Sequence, residues 1–517
     1  MRYLFGFLCV CALGVVPLVG CSDKGGEGGS GGTAGSGGSA GSGGTGGMGG
    51  GGTGGMPACQ SPEDCDDANE CTGNACADGM CEYTPLADGT ACDESNDCTM
   101  GMCADGECDT APVQDGNACG RETPDGGPRG GCYGGLCNFV PVSVTFGAKE
   151  VVFDWSADRC EEFDIPDGPA KAVRASDGEI VLFGTMHETG NYLSRGNDFD
   201  SLEHDCEHPA HRSANLPTPE SYENNEWLWS PYRLGESWHV LIHNEFHDAT
   251  SINCSPTYLC WYNSITYAVS TDGAHTFVKP SPPAHVVAPA PRVWIPPDTP
   301  VQDYHVEGYH EPSNIVLGPD DYYYALIGLK RISFAAGTDE RGVCAIRTKT
   351  LDDPASWRAW GGSGFSLLLT SPYAVVGDVP DCEFLPDAGG QDAGTLTYNT
   401  YIDRYMRVLG WAQTVDPQTL ICGFYFSLST DLIHWSDIQL LARADIGVSW
   451  GCDTGPEGPP ILESVHAQYP SIVDHADSTT NFERPGRTPY LYYTRHNGGY
   501  WLDRDLVRVP LTFTLEE

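Results

Sequence analysis

Basic residues are scarce in this 517-residue chain. Lys and Arg number 27 against 71 Asp and Glu, a formal net charge of −44. Nucleic acids and anionic lipid surfaces need clustered cations, so neither is expected as a partner; the acidity reads as a self-repelling, solvated exterior. Long apolar runs are missing too. After the first twenty residues nothing approaches 18 uninterrupted apolar positions, which excludes a later spanning helix. From residue 139 onward helical periodicity is absent. No D-x-[DN]-x-[DN]-G loop occurs. Acidic exported proteins often bind calcium, so a structural calcium stays open, but no other cofactor and no metal site is implied.

What is present begins with export. Residues 1–20 carry Arg2, an apolar run from about Leu4 to Val16, and the ending Leu18-Val19-Gly20 before Cys21. This is the pattern of a cleaved signal peptide. Leu-Val-Gly-Cys resembles the lipobox of bacterial lipoproteins, which implies acylation of Cys21 and a membrane anchor through the attached lipid. Ser22, where Asp would signal inner-membrane retention, favours the outer membrane, facing the periplasm or the cell surface. Residues 21–56 are nearly all Gly, Ser, Thr and Ala. They cannot bury apolar area and read as a flexible tether spanning roughly 30–35 Å r.m.s..

The cysteines fit that compartment. Cys9 and Cys11 leave with the signal and Cys21 takes lipid. The rest divide into 12 from Cys59 to Cys137 and eight from Cys160 to Cys452, two even sets as disulfides require. Zinc fits the first set poorly, because its spacing is Cys-x4-Cys rather than Cys-x2-Cys. Residues 57–138 contain a 27-residue repeat: Cys65, Cys71, Cys76 and Cys81 recur as Cys92, Cys98, Cys103 and Cys108. A third copy has only Cys119, Cys132 and Cys137, and Cys59 restores the even count. Each copy has too few apolar residues for a core, so disulfides must stabilise it. The segment resembles the Dickkopf-like cysteine-rich repeats of myxobacterial surface proteins, which implies a stalk or interaction module.

Residues 139–517 are rich in Tyr, Trp, Val and Ile, broken by Gly, Pro, Asp and Asn, the composition of short antiparallel strands. A pair of aromatic-rich strands recurs at 179–204, 238–277, 322–357, 405–435 and 488–514. Five copies at this spacing predict an all-β, five-bladed β-propeller, with the strand from Val142 to Asp154 completing the last blade. Ser429-Thr-Asp-Leu-Ile-His-Trp435, Tyr469-Pro-Ser-Ile-Val-Asp474 and Glu311-Pro-Ser-Asn-Ile-Val316 resemble the five-bladed propeller glycosidases of glycoside hydrolase family 43, the arabinanase and β-xylosidase-like enzymes. Ser270-Thr-Asp-Gly-Ala-His-Thr-Phe277 resembles a sialidase Asp-box, which as a single copy is usually a tight turn.

The family resemblance implies carboxylates at the starts of the first three inner strands. Inverting hydrolysis uses one to activate water and one to protonate the leaving oxygen, about 6.5–9.5 Å apart. Asp167, in Asp164-Ile-Pro-Asp167-Gly-Pro, matches the general base; Glu311 matches the general acid. In the second blade the family's Trp-Ala-Pro-Asp stands as Trp229-Ser-Pro-Tyr232, so Tyr occupies the place of the tuning carboxylate. Strand alternation puts His243, Glu245 and His247 on one face, as a sugar pocket, a metal trio or a plain polar face. Arg174, Asn314 and Asp474 are further candidates to line the pocket. Trp227, Trp229, Trp261 and Tyr262 are candidate sugar platforms or inter-blade core, and His204, His208 and His211 read as loop polarity. The sequence thus points to a surface-tethered glycan-active propeller acting on a polysaccharide or surface glycan, with a non-catalytic adhesion or display protein as the alternative.

Overall fold

The computed structural model describes residues 59–516, apart from 68, 93–96, 121–128, 302–304, 334–336, 376–378, 387–391, 417–418, 448–460 and 499–500. The expected signal peptide, the Cys21 lipidation site and the tether lie outside the described residues. The described residues divide into two compact units: 59–94 with 101–110, and 95–100 with 111–516. No helix among the described residues is long and apolar enough to cross a membrane.

Every described cysteine is disulfide-bonded, and the pairing in the repeats follows one rule. The first cysteine of each copy bonds the fourth: Cys65–Cys81, Cys92–Cys108 and Cys119–Cys137. The second bonds the third of the next copy: Cys71–Cys103 and Cys98–Cys132. Cys59 bonds Cys76 and so supplies the partner that a preceding copy would have given. The third copy lacks its second cysteine because no copy follows. With apolar cores reduced to the cysteines and one or two neighbours, these crosslinks are what hold the module.

The larger unit is the expected propeller, five antiparallel blades around an axis, with parallel pairing joining blade 2 to blade 3 and blade 4 to blade 5. Blade 1 is Lys171–Arg174, Ile180–Phe183, Ser194–Gly196 and Glu203–His204, each strand pairing with the next. Blade 2 is Asn225–Leu234, Ser237–His247, Cys260–Ser270 and Val286–Ala288. Blade 3 has a split inner strand, His305–His310 and Val316–Leu317, followed by Tyr323–Ser333, Thr338–Thr348 and Arg358–Ala359. Blade 4 is Thr395–Asn399, Arg404–Asp416, Thr419–Ser429 and Gln439–Asp445. Blade 5 is Ile461–Val473, Tyr490–His496 and Arg504–Leu515, and Val142–Phe146 and Glu150–Phe153 add the outermost strand. The first strands of the propeller therefore pair with its last.

Closure is visible in the packing. Alternate residues of each strand face each neighbouring blade, and one apolar cluster fills each of the five inter-blade spaces. Val173 and Phe183 meet Leu228 and Val240; Leu241 and Ile265 meet Ile315 and Ile327; Leu326 and Ala345 meet Leu396 and Trp435. Phe424 and Phe426 meet Leu491 and Val507, and Leu506 and Tyr492 meet Ala172 and Leu182. The last pair joins blade 5 to blade 1. The Asp-box-like segment is a turn: Asp272 accepts the backbone N–H groups of His275 and Thr276 at 3.1 and 3.0 Å. Asp431 does the same for Ile433 and His434 at 2.9 and 2.8 Å.

A strap closes the end of the axis where the inner strands finish. Residues 474–486, between the first two strands of blade 5, visit the other four blades in order. Thr480 O accepts from Arg174 N (2.7 Å) and Asn481 Oδ1 from Arg233 N (2.7 Å). Glu483 Oε2 accepts from Leu317 N (3.2 Å), and Glu483 O and Pro485 O accept from Tyr398 N and Thr400 N (2.9 and 2.8 Å). Asp474 knits the loop by accepting from Ala476 N and Gly486 N at 2.9 and 2.7 Å.

The third cysteine copy belongs to the same unit and sits on blade 4. Both Arg404 Nε and Nη2 donate to Cys137 O (2.9 and 2.7 Å), and Tyr133 stacks on His434 at 4.0 Å. The boundary read at residue 138 thus falls inside a packed unit.

Candidate functional site

The starts of the inner strands meet at the end of the axis away from the strap. Asp167 precedes the first. Its backbone is fixed by Pro166, whose carbonyl accepts from Thr494 Oγ1 of blade 5 at 2.9 Å. Gly168 follows because a Cβ there would lie 2.6 Å from Met186 Sδ and 3.2 Å from Trp229. Half-buried Asp167 accepts from the Arg504 guanidinium and, at 3.4 Å, from the Tyr469 hydroxyl. Asp164 is instead a structural group, fully buried and accepting from His204 and Cys160 N at 2.7 and 2.9 Å.

Glu311 occupies the gap in the split inner strand of blade 3. Its φ of 46° is left-handed, costly for a residue with a Cβ, and its N–H is held at 3.0 Å by His243 Nδ1. Tyr469, at a bulge in the inner strand of blade 5, is also left-handed at 55°. Accepting at Nδ1 leaves His243 its proton on Nε2, which donates to Glu245 Oε1 at 2.8 Å; His247 reaches Glu245 Oε2 at 2.9 Å. Neighbouring strands thus assemble a relay from the Glu311 backbone to His247.

The electrostatics divide the carboxyls. Burial, reinforced by the charge of Asp392, pushes Glu311 up to about 7, against opposing pulls from Lys330 and His243. Burial also pushes Glu245 up, but the hydrogen bonds from its two histidines prevail and hold it well below the usual carboxylate range. Burial raises Glu188, which feels His187, His247, Glu245 and Asp167. Tyr469 is raised by burial and then by both Asp167 and Glu311, which places its phenol within reach of both charges. Lys171, 2% exposed, donates to Trp229 O (2.6 Å), Ser230 Oγ and Pro312 O (both 3.4 Å), stapling blades 1, 2 and 3 at the axis. His310, Glu311 and Asp392 each offer a donor atom within 4.8 Å of the others, but Lys330 already sits on Asp392 at 2.8 Å.

Of the residues chosen from sequence, Asp167, Glu311, His243 and Glu245 come together here. Arg174 and Asp474 do not: their described contacts are with the strap, since both end an inner strand whose start faces the carboxyls. Arg174 lies over Phe482 and donates to Asp477 O. Asn314 bridges blades 3 and 4 through Leu396 N at 3.4 Å. Tyr232 also points to the strap, its hydroxyl 3.3 Å from Glu483, so it does not stand in for a carboxylate beside Asp167. Trp227 and Trp229 pack in the core between blades 1 and 2 and Tyr262 in a smaller apolar cluster, while Trp261 stacks on His247. Sequence reading missed Tyr469, Arg504, Glu188 and Lys171. Tyr469 lay in a quoted motif, Lys171 in the strand that follows Asp167 and Arg504 in the strand pair at 488–514, but none was singled out.

No protein-family model and no curated protein matches this sequence. Among solved structures the chain is similar to a β-xylosidase, at 12% identity over 70% of this chain and 94% of that one, TM-score 0.37. It is similar to an α-L-arabinanase of Cellvibrio cellulosa complexed with arabinohexaose, at 12% identity over 67% and 91%, TM-score 0.32. A protein of unknown function from Dyadobacter fermentans matches at 10% identity over 72% and 99%, TM-score 0.39.

Proposed function

We propose that this chain is a glycan-active propeller, tethered to the cell surface through Cys21, that hydrolyses glycosidic bonds with Asp167 as general base and Glu311 as general acid. The observation that carries the reading is a pair of carboxyls in contrasting surroundings at one end of the axis. Glu311 is pushed up to about 7 and so holds a proton near neutrality. Asp167 accepts from a guanidinium and a phenol. One group that gives a proton beside one that takes a proton is what acid–base hydrolysis requires. His243 and the left-handed backbone aim the acid; Tyr469 hydrogen-bonds Asp167 and feels the charge of both carboxyls.

The test is release of reducing sugar from a panel of plant and bacterial polysaccharides, pentose-containing ones first. Glu311→Gln and Asp167→Asn should each lower the rate about 10²–10⁴-fold while the protein still unfolds in one cooperative transition. An active protein indifferent to both substitutions rules out the assignment. The Arg504–Asp167 ion pair favours a second reading, because a carboxylate tied to Arg orients a ligand more readily than it activates water. That reading, a glycan-binding adhesin, gives retention on a glycan array with no product.

A further inference from the structure

A file of ring side chains leads from the molecular surface to the acid. Trp501, between the last two strands of blade 5, is 50% exposed. Its indole meets Phe163 edge-on at 6.1 Å, Phe163 stacks on His187 at 5.1 Å, and His187 meets Trp227 at 6.1 Å. Trp227 then packs at 5.7 Å against His243, the residue that holds the Glu311 backbone. Exposure falls along the file: Trp227 is 5% exposed and His243 3%. Arg504 ties the outer end to the chemistry. Its Nε donates to Trp501 O at 3.1 Å, its guanidinium lies 5.8 Å from the indole, and the same group grips Asp167. Every other described tryptophan is buried or half-buried, so Trp501 alone among them offers half of its indole to solvent.

Resting on the glycan-active reading above, we propose that Trp501 is a stacking platform for a neutral sugar ring, an outer subsite that holds a unit of the chain beyond the one at Asp167. An indole face suits the apolar face of a pyranose or furanose. The Arg504 guanidinium offers a partner for ring hydroxyls. A substrate that fills both places must be an oligosaccharide, so length and not only sugar identity is selected here.

The test uses the full chain carrying Glu311→Gln, which binds without consuming the sugar. It is titrated calorimetrically with neutral pentose and hexose oligosaccharides, from disaccharide to hexasaccharide. Adding Trp501→Ala should weaken the longest binder about tenfold or more and leave the disaccharide unchanged. Trp501→Phe should recover most of the loss. Equal affinity at every length, with and without Trp501, overturns the platform and leaves glycan binding standing. No binding of any member, together with no product from the wild type on the same panel, overturns the glycan reading and the platform with it.

Discussion

Glu483 offers the sharpest test of the architecture, because its effect needs no knowledge of substrate. Its carboxyl lies in the strap, accepting from Tyr232 OH and Leu317 N, and burial pushes it from the ordinary 4.5 up to about 7. In the unfolded chain it regains the ordinary value. Between those two values the folded protein binds the proton more tightly, so this group's contribution to stability is complete below about 4.5 and lost as pH rises through about 7. The shift sets a ceiling of roughly 3 kcal/mol; partial exposure of the side chain brings the expected effect to about 1–2 kcal/mol. For a ring of this size that is a change of roughly 1–3 °C in melting temperature. Glu483→Gln removes the ionisation and keeps the shape. The assay is thermal unfolding of wild type and variant at closely spaced pH values from 4 to 8. Glu307 and Glu311, also raised to about 7, slope the same way but are common to both proteins and cancel in the difference. The wild type should lose ground against the variant across this window. Parallel curves would refute the reasoning.

The remaining predictions are briefer. If Glu311 is the acid, hydrolysis should decline as pH rises through about 7, since only its protonated form donates; a rate that climbs steadily to pH 9 excludes the role. Gly308→Ala should cost about 2–4 kcal/mol in an unfolding assay, because at φ 115° its Cβ would lie 2.1 Å from the carbonyl of Asn263. A fragment of residues 139–517 should fold, yet melt a few degrees lower than the full chain, having lost the Arg404–Cys137 and Tyr133–His434 contacts; identical melting would show the third repeat contributes nothing. Cys21→Ser should move the protein to the soluble fraction, and a wild type that takes up no labelled fatty acid would end the lipoprotein reading.

Much of the fold is legible in the chain because it is written locally. Strand pairs such as 405–435 announce themselves by alternation and by a Ser-Thr-Asp turn whose hydrogen bonds close within a few residues. The even cysteine count is equally plain, but the rule linking Cys71 to Cys103 is not, since spacing alone allows many connectivities. The site divides along the same line. Asp167 and Glu311 precede or interrupt strands within short motifs. Arg504 and Lys171 reach it only through contacts across blades, which leave no local trace. Arg174 and Asp474 mislead for a geometric reason: about 3.3 Å per residue along an inner strand carries its end from the carboxyls to the strap.

The strap and the closing strands have a consequence for the order in which the protein can be made. Residues 142–153 emerge early, yet their partner, Arg504–Leu515, follows every other strand of the ring. The segment that covers the base of the axis comes only shortly before it. Until that strand is in place, the early blades persist as sheets with bare edges, the state most prone to pairing with another chain. Cys160–Cys206, Cys254–Cys260 and Cys344–Cys382 each bridge residues no more than 46 positions apart, so in an oxidising compartment they can form before the ring closes. They fix the local geometry of half-built blades before the ring exists. Loss of even the final strand would therefore leave a chain whose individual blades are crosslinked but whose circle never closes.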